Sequence, residues 1–210
     1  MPNPNSPDRP SSYQNMLVHI IDDDVEVLAS CGFLLSSLHI NAQMWDSAMT
    51  FLHNTDIMQP AIVISDIMMP QMDGKMLQQH LQAQKSPIAF IALTGRGEIS
   101  DAVTMLQLGA VDYIEKPIQL NRLQHTLDKA LQLTQHHHYI NHCQSLYNTL
   151  TNKEKQIATC LLQGKLNKII ADELHISMRT VEVHRAHIME KMQAAHLSEL
   201  LKKLWQIQST

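Results

Sequence analysis

Short apolar runs alternate with helix-spaced apolar residues over residues 16–134. The runs near 16–21, 40–45, 61–65, 88–93 and 111–115 are continuous, which predicts strands buried on both faces of a parallel sheet. Between them, Leu28, Cys31, Leu35 and Leu38 recur at helical spacing. So do Met76, Leu77 and Leu81, then Val103, Leu106 and Leu108, then Leu120, Leu123, Leu127 and Leu131. Five βα units of this kind predict a five-stranded, doubly wound α/β sandwich. The pattern changes after residue 134. Residues 135–148 carry no strand signal and hold His136-His137-His138 and His142, which reads as an exposed polar linker that extends the preceding helix. Residues 149–210 contain four helical segments and no strand signal, an all-α four-helix domain. Thr151 and Glu154 form a capping box, and Gly164 closes the helix that it opens. A short helix over 167–174, a turn at His175-Ile176 and a longer helix from Ser177 to 192 follow. The last segment, 197–207, is amphipathic through Leu197, Leu200, Leu201 and Leu204.

Charge divides along the same line. Residues 1–147 carry 7 Lys and Arg against 14 Asp and Glu, whereas residues 148–210 carry 9 against 6. An acidic half followed by a basic half suggests two jobs, with the basic half meeting a polyanion. Three cysteines, an odd number without metal-type spacing, fit free buried thiols in a reducing compartment. No apolar stretch approaches the roughly 18 residues needed to span a bilayer. Residues 1–15, rich in Pro, Asn and Ser, read as a disordered tail and lack the apolar centre of a signal peptide. The expectation is a cytoplasmic protein without membrane attachment.

The ends of the strand-like runs carry the chemistry. Asp22-Asp23-Asp24 follows the first run, Asp66 the third, Thr94 the fourth, and Lys116-Pro117 the fifth. In open parallel sheets, sites form at that edge. Three carboxylates there repel, by about 4 kcal/mol for a pair roughly 4 Å apart at an effective dielectric near 20. Either one is protonated or a divalent cation sits among them. Mg²⁺ suits such oxygen donors together with phosphate. Asp66 is then the natural nucleophile, with Thr94 and Lys116 stabilising the equatorial oxygens of a phosphoryl group. Any single acid is more simply an N-cap or a solvated loop residue; the agreement of four strand ends argues against that for the set.

Residues 16–134 resemble the receiver domain of two-component response regulators. Asp22-Asp23, Asp66 with Pro70 and Gly74, Thr94 and Lys116-Pro117 carry the resemblance. It implies that Asp66 accepts phosphate from a sensor kinase histidine. It also implies that Asp23, Asp66 and the Met68 backbone carbonyl bind Mg²⁺ while Asp22 reaches it through water. Tyr113 matches the switch aromatic, and the Lys116–Pro117 bond is expected to be cis. Haloacid-dehalogenase-type phosphatases also use an aspartyl nucleophile but need a second Asp two positions on, where this chain has Met68. The expectation is therefore no enzyme in the ordinary sense, only self-phosphorylation and slow loss of that phosphate.

In the basic half, a short helix, a tight turn and a longer helix describe a helix-turn-helix. On the longer helix Val181, Ile188 and Met192 share one face, with His184 and Arg185 at its borders. Arg179, Val183, Ala186 and Glu190 lie opposite, flanked by Glu182 and His187. Thr180, Glu182, Val183, Ala186 and His187 are candidates for DNA contact in a major groove. Asn167, Lys168, Arg179 and Lys191 are candidates for phosphates. An ordinary four-helix interaction domain fits the same pattern, and a phosphoacceptor working through protein partners is the alternative. Asn167-Lys168-Ile169-Ile170-Ala171, Ile176-Ser177 and Arg179-Thr180-Val181-Glu182-Val183-His184-Arg185 resemble the LuxR-type DNA-binding domain. Over both halves the chain is similar to FixJ/NarL-class transcription regulators, which implies homodimers on phosphorylation and double-stranded DNA as partner. Met178, Leu166 and Ile169 depart from that pattern, in place of a common proline, a small polar residue and a polar residue.

Overall fold

The computed structural model describes residues 16–95 and 99–208; the expected amino-terminal tail, residues 1–15, lies outside them. Five parallel strands, β1 (Val18–Ile21), β2 (Ala42–Trp45), β3 (Ile62–Asp66), β4 (Ala89–Thr94) and β5 (Asp112–Glu115), form one sheet in the order β2-β1-β3-β4-β5. Helices α1 (Val25–Ser37), α2 (Ala48–Asn54), α3 (Gly74–Ala83), α4 (Ile99–Gln107) and α5 (Leu120–Asn148) connect and follow them. The chain leaves β1 towards β2 and then crosses to β3 on the other side. The strand order thus reverses between β1 and β3, where ligands bind in sheets of this kind.

The continuous apolar runs are explained by burial on both faces. Ile62, Ile64, Ile91 and Leu93 pack against Cys31 and Leu35 of α1 and Leu123 and Leu127 of α5. Val63, Phe90 and Ala92 face the other way, against Phe51 of α2, Leu77 of α3 and Met105 of α4. Strand β2 departs from expectation: it lies at the sheet edge, with Gln43 and Met44 exposed. Helix α2 has only seven residues and two buried side chains, too few for its spacing to register. Its start is nonetheless marked by Ser47, whose Oγ accepts from the Thr50 amide at 3.3 Å.

The chain divides into two compact units at His137/His138. The second holds the end of α5 with α6 (Asn152–Leu162), α7 (Asn167–Glu173), α8 (Met178–Lys191) and α9 (Leu197–Gln208). Ile157, Leu161, Ile170, Val181, Ile188 and Leu200 form its core. Residues 135–148 extend the preceding helix as part of α5, mostly exposed or half-buried, but two side chains depart from the expected exposed, polar surface. Cys143 is fully buried, and Leu146 joins the second core with Leu150. The histidine run made this segment look polar, while Cys143, Leu146 and Leu150 form a stripe at helical spacing that outweighs it. The capping box is present in full, with the Thr151 amide donating to Glu154 at 2.8 Å and the Glu154 amide to the Thr151 hydroxyl at 3.3 Å. Gly164 closes α6 at φ 71°, a conformation that favours glycine.

Candidate functional site

Asp22 follows directly on β1 and is fully buried. Its Oδ1 accepts from the Asp24 amide at 3.0 Å. Asp24 is committed elsewhere: its carboxylate caps α1 by accepting from the Glu26 amide at 2.8 Å. Asp66 is the last residue of β3. Asp22, Asp23 and Asp66 each place one carboxylate oxygen within 4.8 Å of the others. Lys116, one residue past β5, reaches in from the side, with its Nζ 2.7 Å from Asp22 Oδ2 and 3.2 Å from Asp66 Oδ1. Its backbone amide donates to the carbonyl of Thr94, the buried last residue of β4, at 2.9 Å. The Lys116–Pro117 bond is cis.

The loop after Asp66 is closed by glycine. A Cβ at Gly74 would fall 2.5 Å from the Asp66 carbonyl oxygen, so no larger residue lets α3 start so close to the acid. The Gly74 amide donates to the Ile67 carbonyl at 2.9 Å, and Asp73 caps α3 through the Met76 amide at 2.7 Å. Met68 lies in this loop with its side chain exposed. Tyr113 is half-buried on β5. Its amide donates to Asp112 at 2.9 Å and its carbonyl accepts from Arg122 at 3.1 Å.

The electrostatics differ across this cluster. Burial, the largest influence, raises the Asp66 carboxyl above its ordinary range; the Lys116 charge opposes that and the Asp22 charge adds to it. Burial alone would lower Lys116, but its bonds and charge contacts with Asp22 and Asp66 outweigh that and raise it. The result is a half-desolvated carboxylate beside a firmly held ammonium. An all-oxygen donor set of this kind suits a hard cation such as Mg²⁺ and offers nothing for a soft one.

In the second unit, α7 and α8 meet across a tight turn in which His175 takes φ 53°. Ser177 caps α8 by accepting from the Thr180 amide at 3.0 Å. Arg179, Glu182, Val183, Ala186 and His187 are exposed along α8, and Lys168 is exposed on α7. Arg179 pairs with Glu182 at 3.6 Å. Asn167 and Arg185 are hydrogen-bonded to each other, which ties α7 to α8.

Lys191, a candidate for phosphates, is engaged within its own domain: its Nζ lies 2.7 Å from Oε2 of Glu154, a buried side chain on α6. Burial works against the Glu154 charge, but bonds from Lys191 and Thr151 prevail and hold its carboxyl down at about 2. The capping box revealed one of those bonds; Lys191, 37 residues away, left no local signal.

A family model described as the response regulator receiver domain matches residues 18–128, and one described as bacterial regulatory proteins, luxR family, matches residues 148–204. This chain is a response regulator with a LuxR-type output domain. The regulator is 37% identical to the tetrathionate response regulatory protein TtrR of Salmonella typhimurium, over 89% of this chain and 90% of that protein. It is 36% identical to the transcriptional regulatory protein FixJ of Bradyrhizobium diazoefficiens, over 88% and 92% of the two. Among solved structures, it is similar to the response regulator StyR, with a TM-score of 0.66 and 31% identity over 90% of this chain and 98% of that one. Full-length FixJ from B. japonicum gives a TM-score of 0.55 and 34% identity over 93% and 98%. The response regulator is thus a DNA-binding transcription regulator, and the alternative of a phosphoacceptor that works mainly through protein partners rather than DNA falls away. Receiver domains as a family use Mg²⁺ at the phosphorylation site. No helix among the described residues is long and apolar enough to cross a membrane.

Proposed function

We propose that a sensor kinase histidine phosphorylates Asp66 and that this phosphate controls how α8 reads double-stranded DNA in the cytoplasm. The observation that carries the reading is the Lys116 ammonium, 3.2 Å from Asp66 and 2.7 Å from Asp22. It sits where the new negative charge will appear. An Asp66 oxygen attacks the phosphorus of the phosphohistidine; the P–N bond breaks, and the imidazole leaves with the electron pair and takes up a proton. Lys116 stabilises one equatorial oxygen and the Thr94 hydroxyl another. Asp22, Asp23, Asp66 and the Met68 carbonyl would hold Mg²⁺, which neutralises charge on the transferring group when bound. The chain performs no other catalysis: water later hydrolyses its acyl phosphate slowly.

The phosphate draws Thr94 inward, and Tyr113 turns into the space released, which alters the face formed by α4, β5 and α5. Receivers then pair through that face, and two output domains bind two half-sites together. On each, Thr180, Glu182, Val183, Ala186 and His187 meet base edges, while Asn167, Lys168 and Arg179 meet phosphates.

The test is labelling with an acyl-phosphate or phosphoramidate donor. The wild-type chain should take up hydroxylamine-sensitive label only with Mg²⁺ present, and Asp66→Asn should take up none. Equal label in Asp66→Asn removes Asp66 as the acceptor.

A further inference from the structure

We propose that Glu154, His184 and His187 form a binding site for a late first-row divalent cation, Zn²⁺ above all, inside the DNA-reading domain. The three residues come from two packed helices: Glu154 from α6, and His184 and His187, three residues apart, from α8. One donor atom of each lies within 4.8 Å of the other two. His187 Nδ1 is 3.9 Å from Glu154 Oε1. The Thr151 amide and the Lys191 ammonium both bond to Oε2, the other oxygen of that carboxylate. His184 adds to this cluster a buried Nδ1 that has no hydrogen-bond partner. A buried imidazole nitrogen without a partner is unfavourable, and a coordinated cation is one way to satisfy it.

The donor chemistry selects the cation. Two imidazoles and one carboxylate are a known tetrahedral set for Zn²⁺, with water as the fourth ligand. Imidazole disfavours Mg²⁺ and Ca²⁺, which prefer all-oxygen sets. The Asp22, Asp23 and Asp66 cluster is such a set, so the two sites divide the cations between them. Zinc–nitrogen and zinc–oxygen bonds near 2.0–2.2 Å require these donors to draw together. His187 is exposed on the surface of α8, and Glu154, held by its cap, is the fixed point. Lys191 opposes a cation on electrostatic grounds, but its side chain is one-third exposed and can turn to solvent.

The site couples to function through His187, a coupling that rests on the proposed reading of DNA by α8. An imidazole bound to zinc beside Glu154 is withdrawn from the groove-facing surface. Zinc and specific DNA then compete for one side chain.

The experiment is a Zn²⁺ titration of the full chain by calorimetry without DNA, under saturating Mg²⁺ to occupy the acidic cluster. Wild type, His187→Gln, His184→Gln and an exposed control, His53→Gln, are compared, each checked for an unchanged melting profile. His187→Gln should weaken one zinc site by roughly tenfold or more, since even partners outside the coordination shell contribute that much; the control should match wild type. His187 is exposed, so its variant stays informative if His184→Gln fails to fold. Equal affinity and stoichiometry in wild type and His187→Gln overturns the site. Separately, zinc should weaken specific DNA binding of wild type several-fold more than that of His187→Gln. A site lost in His187→Gln with no zinc effect on wild-type DNA affinity overturns the competition alone. Failure to bind DNA at all overturns the DNA reading and leaves the calorimetric result standing.

Discussion

Both units of this response regulator place a lysine ammonium 2.7 Å from a buried carboxylate, at Lys116 and Asp22 in the receiver and at Lys191 and Glu154 in the output domain. The surroundings give the two pairs different work. In the receiver, Lys116 is shared between Asp22 and Asp66, and burial leaves Asp66 raised above its ordinary range. In the output domain, Glu154 takes Lys191 and the Thr151 amide on one oxygen and is held at about 2. A buried carboxylate beside a second carboxylate is raised and suits group transfer; one whose bonded donors outweigh its burial is a tie between helices. The residue pair alone does not distinguish the two; the balance of burial and neighbouring charge against bonded donors does.

The largest difference should appear on deletion. Glu154→Ala leaves Lys191 and the Thr151 amide unpartnered, and should destabilise the output unit by about 3 kcal/mol. Asp66→Asn removes a charge that folding disfavours, and Lys116 keeps Asp22, so the receiver should melt at the same temperature or higher. Calorimetric melting of both variants checks the contrast. A receiver strongly destabilised by Asp66→Asn would reverse the comparison.

Acid should separate the units next. His19 is fully buried in β1; its Nδ1 accepts from Trp45 at 3.0 Å and its Nε2 has no partner. Burial lowers it from 6.5 to about 4. Below pH 6.5 the unfolded chain therefore takes a proton that the folded receiver refuses. The receiver should lose roughly 3 kcal/mol between pH 6.5 and 4. Glu154 has the opposite charge type: its bonds contribute fully above pH 4.5 and are lost as pH falls towards 2. That loss is on the order of 2 kcal/mol after screening. Asp66 partly offsets the His19 effect, because a raised carboxyl favours the folded state as pH falls. Each unit carries one tryptophan, Trp45 and Trp205, so Trp205→Phe reports the receiver and Trp45→Phe the output domain. Denaturation midpoints at pH 7 and 5 should fall for the receiver and hold for the output domain. Parallel falls would contradict the His19 assignment.

The strand-end acids, Thr94 and Lys116 were legible in the sequence because each ends an apolar run, and a parallel sheet aligns those ends by construction. The helix-turn-helix was legible because its caps and spacing are local. What stayed hidden depends on contacts far apart in the chain. The bond from Lys191 to Glu154 spans 37 residues, and nothing near Lys191 in sequence names that partner. The helical extension over 135–148 was legible, but the histidines obscured the burial of Cys143 and Leu146. The edge position of β2 follows from topology, which the composition of one strand does not encode.

DNA binding sharpens the same contrast at smaller scale. Glu182 and Val183 are exposed on α8, so replacing both with Ala should change the preferred sequence, at about 1–3 kcal/mol per base contact. Binding-site selection on wild type and the double variant checks this; an unchanged consensus would show that α8 is not the reader. Smaller still is the split between two lysines. Lys168→Ala should reduce the salt slope of binding by about one unit, since it is free to meet phosphate. Lys191→Ala should leave the slope unchanged and lower the melting temperature, since it serves Glu154. Equal slopes for wild type and Lys168→Ala, or a reduced slope for Lys191→Ala, would mean the two roles are assigned wrongly.

Control of DNA reading by α8 through charge added at Asp66 is the main proposal. It is tested most directly by the DNA affinity of the full chain, measured with and without an acyl-phosphate donor and Mg²⁺, for wild type and Asp66→Asn. Wild type should bind more tightly after phosphorylation, and Asp66→Asn should not respond. Equal affinity of wild type in both conditions, with label confirmed on Asp66, would contradict it.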